Sequence, residues 1–113
     1  MDCIFCKIIN KEIPAKIVYE DERCLAFNDI HPQAPVHILV IPKEHFASLR
    51  DAEERHEATI GHMMRNCAKI AEQVGIREKG FRTVINNGSD AQQSVFHLHI
   101  HLLGGREMGW NPA

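Results

Sequence analysis

No stretch of this chain approaches the roughly 20 consecutive apolar residues that span a bilayer. Neither charge sign dominates: 13 Lys+Arg stand against 15 Asp+Glu, a formal net charge of −2. Without a basic run there is nothing to engage a phosphate backbone, which excludes a strongly basic nucleic-acid binder. The N-terminus, Met1-Asp2-Cys3-Ile4-Phe5-Cys6-Lys7-Ile8-Ile9, is interrupted by charge at Asp2 and Lys7, and its apolar run is too short for a secretory signal. Four cysteines outside a secretory context argue against a disulfide framework. Cys24 and Cys67 stand alone among apolar neighbours and read as small core residues. These absences together describe a cytoplasmic protein with no membrane and no nucleic-acid partner. Internal repeats, low-complexity tracts and linkers are also missing. A length of 113 residues with 44% hydrophobic and 25% charged content fits one domain over 1–113, neither disordered nor a coiled coil.

What is present begins with alternating and helical patterns. Residues 3–9 form a short helix candidate with Ile4, Phe5, Ile8 and Ile9 on one side. Lys16 to Tyr19 and Cys24 to Asn28 are strand candidates joined by the charged turn Glu20-Asp21-Glu22-Arg23. Val36 to Ile41 is a third strand, flanked by Pro35 and Pro42, neither of which can donate to a ladder. Ile60, Met63, Met64, Cys67, Ile70, Ala71 and Val74 recur at helical spacing and predict one long helix. Asp51 with Glu54 is its expected capping box, and Gly75 its C′ residue. Phe81 to Asn86 and Val95 to Leu103 complete the set, separated by a polar loop over 87–94. The predicted class is α+β: an antiparallel sheet of about five strands, one long helix on one face and a short N-terminal helix.

The chain has eight histidines, three of them within five residues. In a strand, His97, His99 and His101 share one face while Leu98, Ile100 and Leu102 share the other. Like charges this close depress one another's pKa, so at neutral pH most of these rings are uncharged. An uncharged imidazole has a bare nitrogen that can attack an electrophile or bind a metal, and a protonated one can assist a leaving group. From the residues alone, a His-x-His metal site remains open beside the nucleophilic reading. His56 and His62, six apart, do not share a helix face and read as surface or helix-edge residues.

The segment His97-Leu98-His99-Ile100-His101-Leu102-Leu103 resembles the His-φ-His-φ-His-φ-φ signature of the histidine triad (HIT) superfamily. Phe5-Cys6-Lys7-Ile8-Ile9, Ile13-Pro14-Ala15-Lys16, Cys24 to Ile30, Ala34-Pro35-Val36-His37, Val40-Ile41-Pro42-Lys43, Gln93 to Phe96 and Gly104-Gly105 are similar to its Hint branch. The resemblance implies a homodimeric purine nucleoside phosphoramidase whose two sheets join into one. It implies that His99 attacks the α-phosphorus of a nucleoside 5′-phosphoramidate, giving a nucleotidyl-histidine that water hydrolyses to a purine nucleoside monophosphate, AMP or GMP. By the same resemblance His101 contacts phosphate oxygens and assists the leaving group, His97 supports His99, and His37 extends the proton network. Ser94 bonds the leaving amine. Asn86, Gln93 and the backbone near Ser94 and Val95 cradle the phosphate. Asp29 takes the ribose hydroxyls, and Ile4, Phe5, Ile8, Phe27 and Ile30 hold the base.

Cys3-x-x-Cys6 alone is half a zinc site or a reduced thiol pair; no thioredoxin-like pattern surrounds it. Some relatives of the superfamily add two histidines, which correspond here to His45 and His97. The resemblance therefore implies a structural Zn²⁺ on Cys3, Cys6, His45 and His97, with no metal required for catalysis. Asn111 and Ala113 depart from the usual Hint tail, which often reaches the partner's active site. Trp110, taken alone, reads as a packing residue. Two other readings compete with the phosphoramidase: a metal-dependent hydrolase with His97, His99 and His101 as ligands, and a purine-nucleotide-binding module with incidental activity.

Overall fold

A computed structural model describes residues 3–111; Met1, Asp2, Pro112 and Ala113, and with them part of the tail departure, lie outside the described residues. Side-chain alternation sorts the strands into a two-faced sheet. β1 (Ile17–Glu20), β2 (Cys24–Asn28), β3 (Val36–Pro42), β4 (Phe81–Val84) and β5 (Ile100–Gly104) pair antiparallel in the order β1-β2-β3-β5-β4. On β2, β3 and β5 the even-numbered residues Cys24, Ala26, Ile38, Val40, Ile100 and Leu102 enter one core. The odd-numbered Leu25, Phe27, Leu39 and Ile41 enter a second core on the opposite face. The long helix α2 (Glu57–Gln73) closes the first core with Met63, Cys67, Ile70 and Ala71. The short helix α1 (Ile4–Ile9) closes the second with Phe5 and Ile8. Each fully buried Leu, Ile or Met contributes about 1.5–3 kcal/mol, which holds α2 far more firmly than its own propensity does. The α+β class and the single five-stranded sheet agree with the sequence reading. Both faces are covered, not one.

Several element boundaries differ from the sequence expectation. The strand expected over Val95–Leu103 is hydrogen-bonded only from Ile100, and the one over Phe81–Asn86 ends at Val84. β5 is flanked by β3 and β4: β4 ends at Val84, opposite His101, and β3 leaves β5 after Val40, opposite Ile100, its last residues Ile41 and Pro42 pairing with β2. The Leu98 N–H goes instead to the carbonyl of Phe46, at 2.8 Å. The Asp51/Glu54 capping box does not form. Asp51 takes a hydrogen bond from the Ser48 hydroxyl at 2.7 Å inside a 3₁₀ turn, and the chain extends again at Ala52 and Glu53. Glu53 and His56 form the reciprocal box, with the Glu53 N–H donating to His56 Nδ1 at 2.8 Å. His56 is thus a buried residue and not a surface one: it stacks on Phe46 with centroids 4.1 Å apart and bonds Glu44. Met64 falls off the apolar stripe and is exposed, as is Trp110 at 87%. Gly75 does take the C′ position at φ +83°, where Gly75 and Ile76 donate back to Glu72 and Ala71. Gly104 is fixed by a different constraint, since a Cβ there would stand 2.7 Å from Ile76 Cδ1. Cys24 and Cys67 are buried in the first core as expected, and burial pushes both thiols up to about 11.

The β1–β2 turn is pinned to α2 through Asp21. Its carboxylate accepts from the N–H groups of Arg23 and Cys24, the Tyr19 hydroxyl, and the side chains of His62 and Asn66. Burial alone would raise its pKa. The Cys24 N–H and the Tyr19 hydroxyl lead a set of donors that outweighs burial and holds the carboxyl well below its ordinary value. Such a group stabilises the fold above its unfolded pKa and loses that contribution as pH falls below it. Asp21→Ala strands several half-buried donors at once, and is expected to cost about 2–3 kcal/mol in urea unfolding. A loss under 0.5 kcal/mol would show that water replaces the carboxylate. Among the described residues no helix is long and apolar enough to cross a membrane.

Candidate active site

The histidine segment keeps its alternation even where the ladder has not begun. Leu98, Ile100 and Leu102 are fully buried in the α2 core, so His97, His99 and His101 are turned to the α1 side. There the three rings take three different sets of partners. His97 is wholly buried, and its Nε2–H donates to the Pro42 carbonyl at 2.8 Å. A carbonyl only accepts, so the hydrogen sits on Nε2 and Nδ1 is bare. The His97 carbonyl in turn accepts from His99 Nδ1–H at 2.8 Å. That fixes the other tautomer at His99 and leaves its Nε2 bare. The hydrogen bond between residues 97 and 99 is thus made by the His97 backbone and not by its ring.

The second relay starts from a main-chain donor. The Gln33 N–H donates to His37 Nδ1 at 3.0 Å, so His37 carries its hydrogen on Nε2. That hydrogen reaches His101 Nδ1 at 2.9 Å, with Asp29 Oδ2 3.4 Å away. Uncharged His101 then bears its own hydrogen on Nε2, an atom buried without a partner. Burial, followed by the charges of His99 and His37, pushes His101 down to about 4. Burial also lowers His37, with Asp29 opposing. An unpartnered buried N–H costs free energy unless a ligand accepts from it. Strand pairing places these rings: His101 lies across from Leu39 and His37 across from Leu103, so both rings share one face.

His99 and His101 open onto a cleft of about 870 Å³. Ile4, Phe5 and Ile8 of α1 form one wall, and Phe27, Asp29 and Ile30 at the end of β2 form another. Ser94, Val95, His99 and His101 line its polar end. Phe5 stands edge-on to Phe27 at 5.5 Å and to His99 at 5.2 Å. Ile30 is 86% exposed, at the rim. Asp29 Oδ1 is held by the His31 N–H at 2.8 Å. Asn86, Gln93, His37 and His97 do not line the cleft. The Gln93 amide is consumed in bracing the loop: it accepts from the Gly88 N–H and donates to the carbonyls of Ala47 and Val95. Ile13, Pro14, Ala15, Lys16 and Leu39 also line the cleft and were not singled out as site residues in the sequence. The Ile13–Lys16 segment was visible as a family match. Gln33 carried no signal, because its contribution is a backbone N–H.

Behind Phe5 lies a four-residue cluster capable of coordinating a metal. Cys3, Cys6, His45 and His97 bring their ligand atoms within 4.8 Å of one another. Cys3 Sγ is 3.3 Å, Cys6 Sγ 3.7 Å and His45 Nδ1 3.1 Å from the bare His97 Nδ1, and Cys6 Sγ is 3.5 Å from His45 Nδ1. Tetrahedral bonds of about 2.0–2.3 Å space ligand atoms roughly 3.3–3.8 Å apart, so this donor set fits such an ion with small adjustment. Burial, then Cys3, pushes the Cys6 thiol up to about 11, so a metal would displace protons on binding. A centre built from His97, His99 and His101 together is not offered. The bare His97 Nδ1 faces Cys3, Cys6 and His45, while His101 Nδ1 accepts a hydrogen bond from His37 at 2.9 Å.

Comparison with known proteins agrees with this geometry. The HIT domain family model matches residues 10–108. A 14 kDa zinc-binding protein of Zea mays is 54% identical over 112 residues, covering 97% of this chain and 87% of that protein. Adenylylsulfatase HINT1 of Arabidopsis thaliana is 52% identical over 112 residues, covering 97% of this chain and 76% of that protein. The crystal structure of a HIT family hydrolase from Legionella pneumophila superposes with a TM-score of 0.96 at 46% identity, covering 99% of this chain and all of the other. With nearly its whole length matched and the triad in place, the chain belongs to the histidine triad family, in its Hint branch.

Proposed function

We propose that the protein is a hydrolase that cleaves the P–N bond of purine nucleoside 5′-phosphoramidates, adenosine 5′-phosphoramidate among them, through a nucleotidyl-His99 intermediate. The observation that carries this reading is the His99 ring, its Nδ1–H committed to a carbonyl and its bare Nε2 on the cleft side. Nε2 attacks the α-phosphorus, the P–N bond breaks and the amine leaves with a proton. Water then releases the nucleoside monophosphate and frees His99. The His101 Nε2–H, supplied through Gln33 and His37, donates to a phosphoryl oxygen or the leaving nitrogen. The Ser94 hydroxyl serves the leaving group from the same end of the cleft. Asp29 takes the ribose hydroxyls, and the apolar walls take the base. The Gln93 amide acts by bracing the loop that carries Ser94 and Val95, and Asn86 is assigned to the phosphate only by the family match.

The test is mass spectrometry of acid-quenched protein during turnover of adenosine 5′-phosphoramidate. An adenylyl adduct on the His99 peptide is expected. Turnover without any adduct at rapid-quench times would retire covalent catalysis. Chelation is expected to leave turnover at saturating substrate; its abolition with the fold intact by circular dichroism would make the metal-dependent hydrolase the better reading.

The Arabidopsis relative favours a second substrate for the same chemistry, since its name is that of an adenylylsulfatase. The nucleophile and phosphorus would be unchanged. Sulfate, however, departs without a proton, whereas an amine does not. His101→Gln is therefore expected to lower kcat on the phosphoramidate by about 10²–10⁴ and to affect adenylylsulfate much less. Equal losses on both would remove His101 as the leaving-group acid.

We read the Cys3/Cys6/His45/His97 cluster as a structural Zn²⁺ site. Mixed thiolate and imidazole donors suit that ion, and the maize relative carries zinc in its name. Bound there, zinc supplies a cross-link and no chemistry. The thiols also suit a reducing, cytoplasmic setting. The homodimer with a joined sheet is part of the same proposal, supported by the exposed indole of Trp110, whose neighbour Gly109 is held by Arg82. Light scattering at two concentrations checks it.

A further inference from the structure

We infer that the Cys3/Cys6/His45/His97 centre sets the width of the nucleotide cleft, so that Cys3 and Cys6 are positioning residues for substrate. The inference rests on the nucleotide reading of the cleft given above. Its basis is that one short helix does two jobs. α1 has six residues, far below the length at which a helix holds itself in water. Ile4, Phe5 and Ile8 on this helix form a cleft wall, while Cys3 caps it and Cys6 ends its first turn. The Cys3 sulfur accepts from the Cys6 N–H at 3.4 Å, which makes the metal-ligand pair and the helix start one unit.

The other two ligands come from outside this helix. His45 follows β3 and His97 is clamped to Pro42 at the end of β3. A metal on the four would therefore tie a marginal helix to the sheet. Phe5 transmits this tie, because its ring meets both His97 at 5.8 Å and His99 at 5.2 Å. Without the ion, α1 is held there by sulfur–nitrogen contacts of 3.3–3.7 Å and by the burial of Phe5 and Ile8. The nucleophile does not depend on the centre in the same way. The His99 Nδ1–H is fixed by a main-chain carbonyl and not by a metal ligand's ring. Loss of metal therefore acts on nucleotide binding and leaves the chemical step.

The experiment compares the full chain loaded with zinc chloride, the same protein after exhaustive chelation, and the variant Cys3→Ser/Cys6→Ser. Two quantities are read: amide hydrogen exchange over 4–9, and the Kd of AMP by calorimetry. Chelation is expected to speed exchange in α1 by more than about tenfold and to weaken AMP by about tenfold, with exchange in β3 unchanged. Re-addition of zinc restores the chelated protein and not the double variant. Equal AMP affinity with and without metal overturns the inference while leaving the nucleotide reading intact. AMP bound by neither form retires the nucleotide reading and this inference with it. Unchanged α1 exchange on metal removal overturns the strut whatever the affinity does.

Discussion

Replacing His99 with alanine is expected to lower kcat on adenosine 5′-phosphoramidate by roughly 10⁴–10⁶, with AMP affinity changed less than about tenfold. The size follows from what the ring supplies. Removing a nucleophile does not weaken one interaction among several; it closes the covalent route, and what remains is whatever the donors and the cleft do for direct attack by water. The small effect on binding follows from the same geometry. The base and ribose are to be held by α1, Phe27 and Asp29, and none of these is positioned by the His99 side chain alone. Phe5 keeps Phe27 and the His97 ring as edge partners when the His99 ring is gone. Single-turnover kinetics with a calorimetric Kd on the same preparation separates the two effects. Wild-type turnover in the variant removes the nucleophile assignment. A parallel loss of binding and turnover would make His99 a determinant of binding.

The face of each histidine was legible because alternation is local. Leu98, Ile100 and Leu102 need a core, and burying them turns His97, His99 and His101 to the other side whether or not a ladder exists there. The ladder itself was not legible, because pairing depends on where β4 ends and where β3 leaves β5. The long helix was visible in its buried stripe and its glycine stop, yet its start was misplaced. Asp51 and Glu54 have the right types at the right spacing, and only the bond from Ser48 and the extended residues at 52–53 redirect the chain. His56 is the sharper case. Six-residue spacing correctly denied it a shared site with His62, but exposure does not follow from that. The Phe46 ring that covers His56 comes from the irregular segment after β3, where no periodicity marks its direction. At the site, residue types were readable and tautomers were not. The hydrogen positions on His37, His97 and His99 are set by the Gln33 N–H and the Pro42 and His97 carbonyls, main-chain groups that any sequence supplies.

The metal-free protein is expected to lose several kcal/mol of stability between pH 6.5 and 4, without any change at its carboxylates being needed. His97 and His101 are each pushed down to about 4, burial being the largest cause in both, and burial lowers His37 in the same direction. In the unfolded chain these rings titrate near about 6.5. Between the two values the unfolded state binds more protons than the native one, so stability rises with pH across that window and falls as the window is crossed downward. Above pH 6.5 the contribution is complete. Each unit of depression corresponds to about 1.4 kcal/mol, so His97 and His101 together contribute about 3–6 kcal/mol after allowing for the partial exposure of His101. That is a large share of the roughly 5–15 kcal/mol that holds a domain together. Asp21 loses its own contribution only at lower pH, below its unfolded value near 3.8, so the two effects separate along the pH axis. Urea unfolding of chelated protein at pH 7.5, 5.5 and 4.5 measures the slope, and His101→Gln is expected to shallow it. Stability unchanged from pH 7.5 to 4.5 would mean that the buried rings accept protons freely, and the uncharged relay from Gln33 through His37 to His101 would then be wrong.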